Sequence, residues 1–347
     1  MAARLLEIAH KTGFSVSTVS RVLHDHSNKY KISAATKEVI RKAAEELGYR
    51  PNKLARGLRL NQTLEIGVIV PDIANPFFAT LVKSIAGELR KSGYSIFVYD
   101  SDENTAIEAE SVNILLEKKA DGLIIAPVGQ ESLHLKEIVR AGMAWVMVDR
   151  CFESLQADAV SVDNARGAYL ATQHLIREGH RQIAFIQGLP GTYVNEGRLQ
   201  GYKQALLEAN ITIEDRLIVG DDFRNYNGYL ETKLLLKQQE PPSAIFTAGD
   251  LIAMGALEAL QEDHYRIPQD VSLITFDDPS FATHLSPALS TIAQPVEKMG
   301  EMAVKLLFRR LRMPKVEWRR ILLEPRLVVR DSVMRRSSPL AVLRHVS

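Results

Sequence analysis

The spacing of apolar positions changes character near residue 64. Ahead of that point it is purely helical. Leu5, Ile8, Ala9 and Thr12 share one face, and Gly13 then offers the positive φ that closes a helix and turns the chain. Ser15 is placed to cap a second helix, in which Val19, Val22 and Leu23 lie at i, i+3 and i+4. A third is capped by Ser33, packs through Val39, Ile40, Ala43, Ala44 and Leu47, and stops at Gly48 before Tyr49-Arg50-Pro51. Helices this short bury a core only together. The stretch Asn52 to Arg59 starts like a capped helix but contains Gly57, which costs about 1 kcal/mol relative to alanine, so it is expected to form poorly alone.

After Leu64 short apolar runs alternate with helical stretches. Runs at 66–70, 95–99, 122–126 and 145–148 read as strands, with helices near 77–92, 105–118 and 131–141 between them. A second set follows at 182–186, 217–219, 244–247 and 273–276, separated by helices near 164–178, 195–209, 225–239 and 251–263. Continuous β-branched runs alternating with helices imply parallel sheets covered on both faces. The expected fold is therefore α/β: a three-helix head, then a bilobed body with a cleft between two α/β lobes. The predicted boundaries are 1–50 for the head, 51–63 for a hinge segment and 64–331 for the body. Within the body, one lobe takes about 64–163 and 294–323, the other about 164–293 and 324–331. Residues 332–347 are expected to be a loose tail, since Met334 to Ser347 carries too few apolar residues for a heptad zipper.

Charge sharpens the head. Residues 1–60 hold 12 Lys/Arg and 5 Asp/Glu, a net of +7, whereas the whole chain carries +1. A basic head on a mildly acidic body is expected to meet a polyanion through the head alone. On the second helix the face away from the core carries Val16, Ser17, Ser20 and Arg21, small or hydrogen-bonding side chains of the kind that touch base edges in the major groove. The single cysteine, Cys151, excludes an intramolecular disulfide, and no apolar run reaches membrane-spanning length, so a cytoplasmic protein is expected, at the nucleoid when bound to DNA.

Ligands of open α/β sheets bind beyond the carboxyl ends of the strands. There lie Asp72 with Asn75-Pro76-Phe77-Phe78, Asp100, Pro127, Asp149-Arg150, Asp163-Asn164, Gly249-Asp250 and Asp277-Asp278, and Arg198 begins a helix pointing toward the same ends. Paired carboxylates bind vicinal hydroxyls and an aromatic face stacks on a sugar ring, so a carbohydrate suits this set. An Asp after a strand is equally often a plain helix cap, which stays open for Asp72, Asp100 and Asp163. No dinucleotide-binding glycine pattern, phosphate loop, nucleophile turn or metal-spaced histidine pair occurs, so no catalytic residue, metal site or cofactor is assigned and an enzyme is not expected.

Gly13 to Leu23 (GFSVSTVSRVL), ELGYRPNKLARGL and IGVIVPDIANPFF resemble the lactose-repressor/galactose-repressor family of bacterial transcription regulators, and the resemblance runs from about Leu5 to Asp331. It implies an effector-responsive homodimer that reads a pseudo-palindromic operator through Val16, Ser17, Ser20 and Arg21. It implies a hinge helix over 52–59, with Lys53 and Ala55 on DNA and Leu58 wedged between base pairs in the minor groove. Effector contacts are implied for Arg198 in R-x-x-G-Y, Asp250 and Asp277, and for Phe77, Phe78, Asp149 and an aromatic around Phe223. The dimer face is implied along Phe77 to Lys91, near Asp102 and over Gly255 to Leu260. Crossings between lobes are implied near 163, 293 and 323. Three departures stand out. The first helix lacks the usual Thr or Ser cap. The loop His24 to Lys31 is about three residues longer than usual, its Lys29, Tyr30 and Lys31 reading either as phosphate contacts or as a solvated loop. Gly249 replaces an asparagine, which implies a roomier pocket or merely a relaxed backbone. The alternative reading is a sugar receptor whose helical head docks a protein.

Overall fold

The computed structural model describes residues 5–23, 30–49 and 62–336, and divides into two units, Met1–Thr63 and Leu64–Ser347. In the first unit three helices, α1 (Leu5–Thr12), α2 (Val16–Leu23) and α3 (Ala34–Glu46), surround a core of Ile8, Ala9, Val19, Val22, Ile40, Ala43 and Ala44. Gly13 adopts φ +72, and its N–H donates to the Ala9 carbonyl, which lets the chain reverse between α1 and α2. The Ser15 hydroxyl accepts from the Thr18 N–H at 3.2 Å and Ser33 does the same for Thr36, so both predicted caps form. One core expectation fails: Val39 is 49% exposed, because Ile40, one position on, takes the inward stripe. The residues 51–61 that include Lys53, Ala55 and Leu58 lie outside the described ones.

In the second unit two six-stranded sheets share one plan. The N-lobe sheet has the order β11-β5-β4-β3-β1-β2 and the C-lobe sheet β12-β10-β9-β8-β6-β7. The N-lobe strands are β1 (Glu65–Val70), β2 (Ser95–Asp100), β3 (Gly122–Ile125), β4 (Ala144–Val148), β5 (Asp158–Val162) and β11 (Arg320–Leu323), all parallel. The C-lobe strands are β6 (Ile183–Ile186), β7 (Ile218–Val219), β8 (Ala244–Thr247), β9 (Ser272–Phe276), β10 (Ser290–Ala293) and β12 (Arg326–Val328), of which only β12 runs antiparallel. Helices α4 (Pro76–Lys91), α5 (Thr105–Glu117), α6 (Lys136–Arg140) and α11 (Val296–Arg312) belong to the N-lobe. The C-lobe holds α7 (Asn164–Arg177), α8 (Tyr193–Glu208), α9 (Asn225–Leu236) and α10 (Asp250–Glu262). Both sheets are buried on both faces, as the continuous apolar runs require.

Among the described residues the chain crosses between the lobes after β5, after β10 and between β11 and β12. The packed chain continues past residue 331. The Ser332 hydroxyl donates to the Leu273 carbonyl at 2.6 Å, His180 bonds the Met334 carbonyl at 3.1 Å, and the Arg336 N–H donates to the Glu178 carbonyl at 2.7 Å. These bonds finish open backbone groups at one end of the C-lobe, so 332–336 correct the expectation of a loose tail.

Three helix glycines act as spacers. A Cβ on Gly201 would overlap the Ala165 carbonyl oxygen, one on Gly228 the Ile252 carbonyl and one on Gly255 the Asn225 carbonyl. The pairs α7/α8 and α9/α10 therefore meet backbone to backbone. Within the expected dimer stretch Gly255 to Leu260, four residues are buried in the single chain, Leu257 is half-buried and Glu258 is exposed. The exposed apolar residues nearby are Tyr226, Leu230 and Leu234, one stripe along α9, with Met254 beside it.

Candidate functional site

Two surfaces carry the predicted chemistry. On α2, Val16, Ser17 and Arg21 are exposed and Ser20 is half-buried, while Val19 and Val22 hold the helix to the core. The Ser17 hydroxyl sits 2.9 Å from that of Ser15, so the first turn presents a small polar rim beside Val16. Arg21 is the cation of this helix, at its last turn.

The second surface is the cleft of the body. All seven candidates, Phe77, Phe78, Asp149, Arg198, Phe223, Asp250 and Asp277, line one cavity of about 580 Å³, open solvent at its mouth included. The strand ends explain the convergence. Asp149 follows β4 and Asp277 follows β9, the third strand of each sheet, and both take left-handed backbone at φ 63 and 74. Both residues line the cavity from this conformation, a strain usual for functional positions. Asn75 caps α4, accepting from the Phe77 N–H at 2.8 Å, while its amide donates across the cleft to Asp250 at 3.3 Å. Arg224 of the C-lobe likewise meets Asp102 of the N-lobe at 3.0 Å.

Arg198 is 3% exposed. Its Nε donates to Asn164 at 2.9 Å, another of its nitrogens to the Ala248 carbonyl, and its guanidinium carbon lies 3.8 Å from the Phe276 ring centre. Burial pulls its guanidinium below the ordinary arginine range, partly offset by Asp277 and Asp149. Burial pushes Asp149 up to about 6 against the pull of Arg198 and Arg150. It also raises Asp250, where the neighbouring Asp277 charge adds to the effect, and Asp277 itself. Asp149 Oδ1, Asp250 Oδ2, Arg150 Nε and Gln294 Oε1 are buried without a hydrogen-bond partner, and all four residues line the cavity. Buried polar atoms left this way are costly, and a hydroxylated ligand would satisfy them.

Sequence reasoning left Glu103, Gln294, Arg224 and Asp102 out of the set and gave Arg150 no role. Glu103 holds Arg150 by two bonds of 2.6 Å, and the guanidinium lies 5.0 Å from the Phe223 ring centre and 5.7 Å from that of Phe78. Gln294 follows β10 and donates to Asp277 at 2.6 Å, so the strand-end rule finds it once β10 is recognised. Of the open alternatives, Asp163 is a cap for α7, and Asp72 and Asp100 accept loop N–H groups, although Asp72 also borders the cavity. Gly249 adopts extended backbone at φ −178, available to any residue, and a Cβ there would only touch Asp277 and Phe223 at 3.7 and 4.0 Å. The glycine thus relaxes no strain; it leaves room.

A family model described as bacterial regulatory proteins, lacI family, matches residues 4–52, and one described as periplasmic binding protein-like domain matches 172–333. The ribose operon repressor of Haemophilus influenzae is 35% identical over 331 residues, which cover 95% of this chain and 98% of that protein. A solved LacI family transcriptional regulator from Enterococcus faecium with bound ribose is 31% identical, with a TM-score of 0.71 over 79% of this chain and 100% of its own. The lac repressor dimer bound to operator and the anti-inducer ONPF is 26% identical, with a TM-score of 0.85 over 96% of this chain and 100% of its own.

Proposed function

The chain belongs to the lacI family of bacterial regulatory proteins, and we propose that it is a sequence-specific transcriptional repressor whose operator affinity is set by a neutral sugar held between its two lobes. One observation carries the choice of ligand. Three buried carboxylates converge on the cavity, while Arg150 is neutralised by Glu103 and Arg198 already serves Asn164 and Ala248. An added phosphate or carboxylate would meet net negative charge in a site shielded from solvent. Sugar hydroxyls instead donate to Asp149, Asp250 and Asp277 and accept from Arg198, with the ring against Phe77, Phe78 and Phe223. The related proteins named for ribose or solved with it fit this class, and the space left by Gly249 allows a ligand larger than a pentose.

The head supplies DNA recognition: Val16, Ser17, Ser20 and Arg21 read base edges of a half-site, and the +7 charge of residues 1–60 meets phosphates. Lys53, Ala55 and Leu58 act from the hinge segment on the minor groove. Two copies match a pseudo-palindromic operator, and the stripe Tyr226, Leu230 and Leu234 supports a homodimer. The protein performs no catalysis in this reading and works in the cytoplasm, at the nucleoid when bound to its operator. The test is a thermal-shift panel of neutral sugars, sugar phosphates, uronates and nucleobases, followed by operator binding with the ligand found. Stabilisation by neutral sugars is the expected result, and stabilisation by anionic compounds alone would overturn the choice of ligand. The rival reading, a head that docks a protein, predicts no operator binding.

A further inference from the structure

The last described stretch before α3 puts an aromatic ring on the recognition helix. The Arg21 guanidinium carbon lies 4.0 Å from the centre of the Tyr30 ring. Tyr30 is 49% exposed and is not among the side chains packed against the core of the head, so core burial does not explain its position. Its backbone is nevertheless held from the side of α3. Lys31 turns through left-handed backbone at φ 52, Ile32 packs against the core, and Ser33 caps α3. A ring anchored in this way is a fixed surface for a long cationic side chain.

We propose that Tyr30 is a specificity-determining residue of the operator contact, acting by holding Arg21 flat before DNA arrives. A guanidinium stacked on a ring uses its face, while its N–H donors all lie in its plane and stay available. That leaves the fork which pairs with two acceptors on a guanine edge free to do so. The rotamer freedom of Arg21 is lost in the free head instead of at the moment of binding, which favours the one base that uses the fork. Arg21 is the cation on α2, so its orientation sets much of what that helix discriminates.

The proposal rests on the reading of α2 as the DNA-contacting helix, and four variants of the full chain separate the two. Operator affinity and base preference are measured on a library of randomised half-sites. Arg21→Ala is expected to weaken binding and flatten preference at one position of each half-site; no change there would refute the α2 reading and the proposal with it. Tyr30→Ala is expected to weaken operator binding by about two- to tenfold, the scale of ordering one long side chain at the moment of binding. It should flatten preference at the same position as Arg21→Ala and leave the melting temperature of the two-lobed body unchanged. Tyr30→Phe should retain the parent behaviour. Tyr30→Leu, with bulk but no π face, should behave like Tyr30→Ala. Parent-like preference in Tyr30→Ala or Tyr30→Leu overturns the proposal even if Arg21→Ala is impaired. A loss in Tyr30→Phe equal to that in Tyr30→Ala also overturns it, because the hydroxyl would then be the active group.

Discussion

Asp149→Asn isolates the cost of holding a bare carboxylate in the cleft. Burial lifts this carboxyl to about 6 from its ordinary 3.8, even with Arg198 and Arg150 pulling it down. A carboxyl raised in the folded state contributes stability that is fully present below about pH 4 and is lost as pH rises through about 6. Relative to low pH, the loss for a carboxyl raised from 3.8 to about 6 amounts to about 1 kcal/mol by pH 4.5 and about 3 kcal/mol by pH 8. Asparagine escapes that loss, keeps one acceptor oxygen and tolerates the left-handed backbone at φ 63. At about 2 °C per kcal/mol for a unit of this size, the ligand-free variant melts about 2 °C above the parent at pH 4.5 and about 6 °C above it at pH 8. Scanning calorimetry of the full chain at the two pH values measures this. The same substitution removes an acceptor for the ligand, so the rise in melting temperature on adding sugar disappears. A variant that melts below the parent at pH 8 would refute the reasoning, since Asp149 would then be a counter-ion that Arg150 and Arg198 need.

Three further outcomes follow from the same structure. Sugar affinity measured by calorimetry rises between pH 5 and pH 8, because burial holds Asp149 and Asp250 largely protonated at the acid end and only their ionised forms offer both oxygens as acceptors; an affinity flat across that range would remove both residues from the contact set. Operator affinity in an electrophoretic shift assay falls by about a thousandfold or more between 50 and 200 mM salt if about six phosphates are neutralised, and a small change would argue against a phosphate-dominated contact. Gly255→Ala forces α9 and α10 apart where a Cβ overlaps the Asn225 carbonyl, so it lowers the melting temperature by about 2 to 6 °C, at about 1–3 kcal/mol for overpacking, without altering operator preference.

The periodicity of the sequence reveals those strands that are buried on both faces and uniformly apolar. It misses β5, β10, β11, β12 and helix α11; in β5 and β10 the polar residues that interrupt the apolar run are satisfied by specific partners, Ser161 by Tyr193 at 3.2 Å and Thr291 by Asp278 at 2.9 Å. Missing β10 is what hid Gln294. Glu103 was hidden for another reason. It leaves a turn in which Asp102 and Glu103 both take left-handed backbone, and no side-chain pattern announces that direction. The R-x-x-G-Y motif shows how one short string serves two purposes. Arg198 faces the cleft, Gly201 lets α8 touch α7, and Tyr202 is buried with its hydroxyl donating to the Ile183 carbonyl at 2.8 Å. Only the first of these roles is about ligand, although the motif reads as a single signature.

Backbone contact at Gly201, Gly228 and Gly255 also has a mechanical meaning. Side chains between helices act as a soft pad that absorbs displacement by changing rotamers, and at these crossing points that pad is absent. The outer layer of the C-lobe therefore has low compliance, and work done on it in the cleft is passed on as movement of a plate rather than dissipated as local deformation. A receptor built from such plates responds in full or hardly at all, and the sharpness of its response is decided as much by three missing methyl groups as by the residues that touch the sugar.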